Sequence, residues 1–224
     1  MAERSNKTTT VGHYILLANP TAGSFCHAVA QRYRDAVVAE GQTAELCDIN
    51  TWGFDPVLKD DYRPDRGRAA SPWAKAELAN LSACSVLVFV YPIWFGGPPA
   101  ILKGYVDRVL GAGCDIGGFL HGEGQRALHG KALLTLTTSA ASSDWLKRRG
   151  RLPSSRQGWE LYLQTGFAMR DAGNLNVDHV GTDMEPAYAE VQLKRVEELA
   201  RLAARCEAAF SSDAAGNPPR RAPS

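Results

Sequence analysis

The chain has 224 residues, 45% of them hydrophobic and 22% charged, with a formal net charge of +1. That length and mix suit one compact globular domain with an adequate core, and the near-neutral charge gives no general reason to expect nucleic acid or a membrane surface as partner. Five cysteines (Cys26, Cys47, Cys84, Cys114, Cys206), odd in number and without a C-x-x-C, point to reduced thiols of a cytoplasmic protein rather than a disulfide framework or a zinc site.

Residues 1–10 are polar and read as a flexible tail without a signal-peptide pattern. Tyr14 to Ala18 is a first buried strand. Phe25, Ala28, Val29, Tyr33, Ala36 and Val37 recur at helical spacing, which predicts a helix from about Ser24 to Glu40, stopped by Gly41. A second strand covers Thr43 to Ile49. A long polar loop follows over 50–71 with Trp52, Phe54 and Tyr62, and a loop of that length has a functional role or short helices of its own. Pro72 to Leu81 reads as a short helix and Ser85 to Val90 as the third strand. Its run Val86-Leu87-Val88-Phe89-Val90 has the β-branched and aromatic content of a strand buried on both faces.

Ile101 to Leu110 is the next helix, and 111–130 is glycine-rich and turn-like. Lys131 to Thr138 is the fourth strand, Gly158 to Arg170 a helix and Leu175 to Val180 a weaker fifth strand. Ala187 to Phe210 closes the domain as an amphipathic helix through Val191, Val196, Leu199, Leu202 and Phe210. Residues 211–224, rich in Pro, Ser and Arg, read as a disordered tail, so a single domain spans 11–210. No apolar stretch is long enough to span a bilayer. Strands alternating with helices predict a doubly wound, three-layer α/β fold with a five-stranded parallel sheet. Chain length and strand count favour the order 2-1-3-4-5, which puts a ligand crevice between the first and third strands.

Three loops would then meet at the carboxyl ends of the strands. The first, Asn19-Pro20-Thr21-Ala22-Gly23-Ser24-Phe25-Cys26, joins a strand to a helix N-terminus with Ser24 as a natural N-cap. Free N–H groups and the helix dipole there make a phosphate site, though taken alone the loop also reads as an ordinary βα turn. It has neither the dinucleotide fingerprint nor a P-loop. The second loop, Tyr91-Pro92-Ile93-Trp94-Phe95-Gly96-Gly97-Pro98-Pro99, is stiffened by Pro and Gly and carries two aromatics. The third, Thr137-Thr138-Ser139-Ala140-Ala141-Ser142, is small and polar.

The segment from Gly97 through Pro99-Ala100-Ile101-Leu102-Lys103-Gly104-Tyr105 and Asp107-Arg108-Val109 resembles the NAD(P)H:quinone oxidoreductases of the flavodoxin-like superfamily. The resemblance is closest over residues 13 to about 142. It implies a flavin, with FAD favoured over FMN because the 50–71 loop offers room for an adenosine half. Pro92, Ile93, Trp94, Phe95 and Gly96 would lie along the flavin ring. Asn19, Thr21, Ser24, Phe25 and Cys26 would hold the phosphate, and Thr137, Thr138, Ser139 and Ala140 would line the polar edge of the ring. Asn19 stands where that family usually has His, and Gly96 replaces an aromatic. The Tyr and His that some relatives use downstream fall near Trp145 and Arg151, which would line the substrate pocket but neither of which acts as a general acid or base near neutral pH.

The implied activity is two-electron and ping-pong: NAD(P)H as co-substrate passes a hydride to flavin N5, then a quinone or similar small-molecule acceptor takes its place. The implied assembly is a homodimer, in which 111–130 and 145–170 complete the partner's pocket. Rival readings are a flavodoxin-type electron carrier and a flavin-binding regulatory subunit of a membrane transport system.

Three further features have two readings each, and a fourth has one. The run Lys147-Arg148-Arg149-Gly150-Arg151 is a solvated face or an attractor for the 2′-phosphate of NADPH. Phe119 and His121 line a substrate pocket or belong to a plain surface loop. Cys26, at a helix N-terminus, is a packing residue or a thiol of lowered pKa. The five histidines have no metal-ligand spacing, so no metal is expected.

Overall fold

The computed structural model describes residues 11–58 and 71–216. The expectations for 1–10, 59–70 and 217–224, Tyr62 included, lie outside the described residues. Five parallel strands form one sheet in the order β2-β1-β3-β4-β5: β1 Val11–Leu17, β2 Ala44–Asp48, β3 Cys84–Pro92, β4 Ala132–Thr138 and β5 Arg170–Val177. The predicted topology is the observed one. β1, β3 and β4 are buried on both faces, which is why they read as continuous apolar runs.

Alternate side chains serve two cores. On one face Ile15, Leu17, Val86, Val88, Val90, Leu134 and Leu136 pack against α1 (Phe25–Ala39) and α8 (Pro186–Gly216). On the other, Tyr14, Leu16, Leu87, Phe89, Tyr91 and Leu133 meet α2 (Pro72–Ser82), α3 (Ala100–Tyr105) and the helical run described below. In that second core the buried Glu77 carboxylate accepts hydrogen bonds from Tyr14 (2.7 Å) and Tyr105 (2.9 Å), tying β1, α2 and α3 together. The described part of the 50–71 loop is structural cover: Phe54 stacks on Trp73 at 4.9 Å and Trp52 meets the same ring at 5.9 Å.

Several elements differ from expectation. β5 begins at Arg170 and ends at Val177, several residues earlier than predicted. It is an edge strand, mostly half-exposed, with a register irregularity opposite Leu133/Thr135, so polar Arg170, Asp171 and Asn174 are tolerated and the pattern is masked. The helix expected over 158–170 is a run starting earlier, through α6 (Arg151–Ser155), a π segment (Arg156–Leu161) and α7 (Tyr162–Gly166). The turn-like 111–130 contains α4 (Ile116–Leu120), capped by Asp115, whose carboxylate accepts from the Gly118 N–H at 2.7 Å. A short α5 (Ser143–Arg148) follows β4, and α8 runs past Phe210 to Gly216.

Candidate functional site

The carboxyl edge of the sheet gathers the three predicted loops. The Ala18 N–H donates to Val90 O at 2.9 Å and the Ile93 N–H to Thr138 O at 2.8 Å, so each loop is anchored to a neighbouring strand. Cys26 Sγ lies 3.1 Å from Thr138 Oγ1, joining the start of α1 to the end of β4. The Cys26 thiol is buried, and burial pushes its pKa up against the opposing bonds from Asn19 and Thr138. It is a packing residue, not an activated nucleophile.

In the first loop the buried Asn19 accepts the Thr21 N–H at 3.0 Å, and Thr21 is exposed. Ser24 occupies the N-cap position with extended backbone, but its hydroxyl does not cap the helix. It bonds His27 Nδ1 at 2.9 Å, and His27 Nε2 lies 3.4 Å from Asp48. The N–H groups of Ala22, Gly23, Phe25 and Cys26 find no acceptor among the described residues. Gly23 takes φ +71°, the turn that lets these groups open at the α1 N-terminus. A loop of unspent donors at the positive end of a helix dipole fits a phosphate group.

The second loop is a tight two-residue hairpin. Trp94 and Gly97 exchange both backbone hydrogen bonds at 3.0 Å, with Phe95 (φ 51°) and Gly96 (φ 87°) left-handed at the tip. A left-handed Phe costs about 1–2 kcal/mol and recurs where function requires it. Its effect here is plain: Phe95 is fully exposed and Trp94 46% exposed, two aromatic rings held outward on a stiff support. Pro92 ends β3 and is buried, and Ile93 is half-buried. Gly96 faces Arg151, whose Cδ would lie 3.6 Å from a Cβ at that position. Trp145 is exposed on α5, with the Arg149 guanidinium 5.5 Å above its ring.

The third loop is pinned from below. Thr137 Oγ1 donates to Asn176 Oδ1 (3.0 Å), and Asn176 Nδ2 donates to Ser139 Oγ (3.1 Å) and Ser143 Oγ (3.2 Å). The Ser139 N–H is spent on Val177 O, so the loop N–H groups left without an acceptor among the described residues are those of Ala140, Ala141 and Ser142. Asp178 accepts the Ser143 N–H at 2.6 Å and is bonded by Tyr188. Burial works against its charge. The bonds from Tyr188, Ser143 and His179 outweigh that and hold its carboxyl well below the usual carboxylate range.

Phe119 and His121 are not brought to this edge. Phe119 packs on Tyr162 (5.1 Å) and Phe167 (5.0 Å) and lines a separate apolar cavity of about 480 Å³ with Trp159 and Leu163. His121 is exposed at the end of α4, its Nδ1 2.8 Å from Gly117 O. The pinning residues His27, Asn176 and Asp178 carry no motif. Only their distant partners give them a role, and spacing does not disclose those.

A five-stranded parallel sheet in this order, with an anion-ready loop after β1 and an aromatic hairpin after β3, defines a flavodoxin-like domain. The chain belongs to the Flavodoxin_2 family, described by its flavodoxin-like fold, which matches residues 13–201. It is 31% identical over 105 residues to an "Uncharacterized NAD(P)H oxidoreductase" of Haemophilus influenzae, an alignment covering 46% of this chain and 52% of that protein. The match thus spans about half the relative's length. In structure it is similar to an NAD(P)H:quinone oxidoreductase from Methanothermobacter marburgensis, with TM-score 0.71, 21% identity and coverage of 86% and 96% of the two chains. It also resembles the general stress protein 14 of Treponema denticola in complex with FMN, with TM-score 0.56, 19% identity and coverage of 89% and 99%.

Proposed function

We propose that this protein is a flavin-dependent NAD(P)H oxidoreductase that reduces a quinone or a similar small electrophile. The observation that carries the reading is the meeting, at one sheet edge, of unspent N–H donors at the α1 N-terminus and the outward aromatic hairpin at 94–97. The relatives' names, an NAD(P)H oxidoreductase and an NAD(P)H:quinone oxidoreductase, support it.

A bound flavin supplies hydride chemistry that no side chain provides. The chain's part is to hold and tune it. Ala22, Gly23, Phe25 and Cys26 would take the phosphate through backbone N–H groups. Trp94 and Phe95 would offer flat apolar contact to ring or substrate, and the free amides of Ala140 and Ala141 would face the polar edge of the ring and favour negative charge there. Arg151, lying against Gly96, adds a cation to the same hairpin, and with Arg148 and Arg149 it would attract the 2′-phosphate of NADPH.

FAD is the flavin proposed from the 50–71 loop. The described part of that loop packs on α2 and α3, and the similar Treponema denticola protein is a complex with FMN, so the cofactor released from purified protein decides between them. Exposed Ile116, Leu120, Leu161 and Tyr162 on the 111–130 and 145–170 segments support a homodimer. Among the described residues no helix is long and apolar enough to cross a membrane.

The test is a visible spectrum of the purified protein followed by anaerobic NADH or NADPH. The expected result is a flavin band that bleaches rapidly and returns on adding a quinone. A flavin that stays oxidised would transfer the reading to an electron carrier or regulatory subunit. No flavin after reconstitution with FAD and FMN would refute the site.

A further inference from the structure

The π segment Arg156–Leu161 carries two consecutive buried residues, Trp159 and Glu160. Single π turns inside helical runs recur at functional sites. Glu160 is left only 6% exposed, a placement that costs a carboxylate its hydration.

Buried polar groups lie close by: the Thr135 hydroxyl of β4 beside Glu160, and the Tyr91 hydroxyl of β3 beside Ser155 and the Trp159 indole. A hydroxyl beside a buried acid can bond it in either protonation state, which suits a carboxyl that gives up and regains a proton. A cavity of about 570 Å³ opens on it, lined by Glu160, Ser155, Thr137, Ile93, Lys147 and Arg195 among others. One space is therefore lined both by Glu160 and by two residues of the candidate cofactor edge, Ile93 and Thr137.

We propose that Glu160 is the internal proton store for acceptor reduction, connected through this cavity to the reacting edge. The proposal rests on the oxidoreductase reading above. NAD(P)H delivers a hydride, and a quinone leaves as a hydroquinone, so each turnover consumes one proton besides: NAD(P)H + H⁺ + quinone gives NAD(P)⁺ + hydroquinone. That proton leaves the Glu160 O–H bond as the acceptor's O–H bond forms, and the electron pair stays on the carboxylate. The carboxylate regains a proton from solvent by way of the same cavity, which Lys147 and Arg195 also line.

The groups facing Glu160 suit a proton that is held and then released. Burial raises the affinity of its carboxyl for the proton, the Thr135 hydroxyl and Arg156 oppose that, and Asp171 adds to the rise. Arg156, 3.7 Å away on the same helical run, keeps the ionised form from being a bare buried charge, and Asp171 of β5 in turn pairs with Arg156. Tyr91 stays neutral, held so chiefly by its own burial. Glu160 is thus a relay residue and does not itself touch the acceptor.

The test uses the full chain loaded with flavin. In Glu160→Gln, bleaching by NADH or NADPH is expected at the wild-type rate. Reoxidation by a benzoquinone is expected to slow at least about tenfold, lose its pH dependence and change its solvent deuterium isotope effect, with Glu160→Asp restoring part of the rate. Independently of turnover, the infrared spectrum of the apoprotein should keep a protonated-carboxyl band above the pH at which exposed carboxylates have ionised, and Glu160→Gln should remove it. An unchanged pH profile and isotope effect for reoxidation in Glu160→Gln would overturn the proposal. If that variant does not fold, the near-isosteric Thr135→Val should shift the profile, and an unshifted profile overturns the proposal equally. A wild-type protein whose bound flavin neither nucleotide bleaches refutes the oxidoreductase reading itself, and the proton-supply role falls with it.

Discussion

Gly104 shows how one residue's missing side chain fixes the second layer of the fold. It lies in the Pro99 to Gly104 segment that carries the family resemblance, and Pro56 crosses over it. A Cβ at 104 would lie 2.4 Å from both Pro56 Cβ and Pro56 O. Neither atom belongs to a flexible side chain, so the backbone itself would have to move. The crossing also positions Arg108, which bonds the Asp55 carbonyl and lies with its guanidinium 5.3 Å from the Phe54 ring centroid. Gly104→Ala should therefore lower stability by about 1–3 kcal/mol, the usual range for forced overpacking. Urea unfolding reads this directly, and a variant within about 0.5 kcal/mol of wild type, the scatter of neutral surface changes, would show that the crossing is loose.

At the scale of elements, two helix starts that look alike in sequence behave differently. Ser24 and Ser71 both precede helices with extended backbone, but only the Ser71 hydroxyl accepts a helix N–H, that of Ala74 at 3.1 Å. Ser71→Ala should cost about 1 kcal/mol, while Ser24→Ala should cost less, because at α1 it loses only the bond to His27 and no cap. Equal losses in thermal or urea unfolding would contradict this. If the α1 N-terminus binds phosphate, its unspent donors are what the missing cap preserves. This contrast marks the limit of what the sequence discloses. The apolar runs of β1, β3 and β4 and the periodicity of α1 and α8 were legible, because burial on both sheet faces or along one helix stripe leaves a repeating pattern. The proline- and glycine-rich loops after β1 and β3 were legible for the same local reason. β5 was not, because its half-exposed edge position tolerates Arg170, Asp171 and Asn174. The π segment, the His27–Ser24 bond and the Asn176 and Asp178 pins were not either, since each depends on a partner or a helical register that spacing does not encode.

At the scale of the whole molecule, His13 couples the central strand to both helices of the first face, and it gives the fold a defined acid sensitivity. It is fully buried on β1, with Nδ1 2.9 Å from the Tyr33 hydroxyl on α1 and Nε2 3.0 Å from Gln42 Oε1. Gln42 in turn donates to the Ala204 carbonyl of α8. Burial lowers the pKa of His13 from 6.5 to about 4, against opposing contributions from Gln42 and Glu207. The folded state therefore takes up the proton later than the unfolded chain does. Above pH 6.5 both states hold a neutral imidazole and the stability is fully present. As pH falls from 6.5 toward 4 the unfolded chain binds the proton first, and stability is lost by up to about 3 kcal/mol. Glu160 has the opposite sign, because its raised folded-state pKa favours the native state as pH falls, so the absolute slope mixes the two. The difference between variants separates them. His13→Gln, which cannot titrate, should lose markedly less stability between pH 7 and pH 4 than wild type in urea unfolding, even if it is less stable at pH 7. Parallel losses in the two proteins would mean that the β1–α1–α8 junction admits the proton without opening, and that the acid sensitivity lies in the carboxylates at the rim.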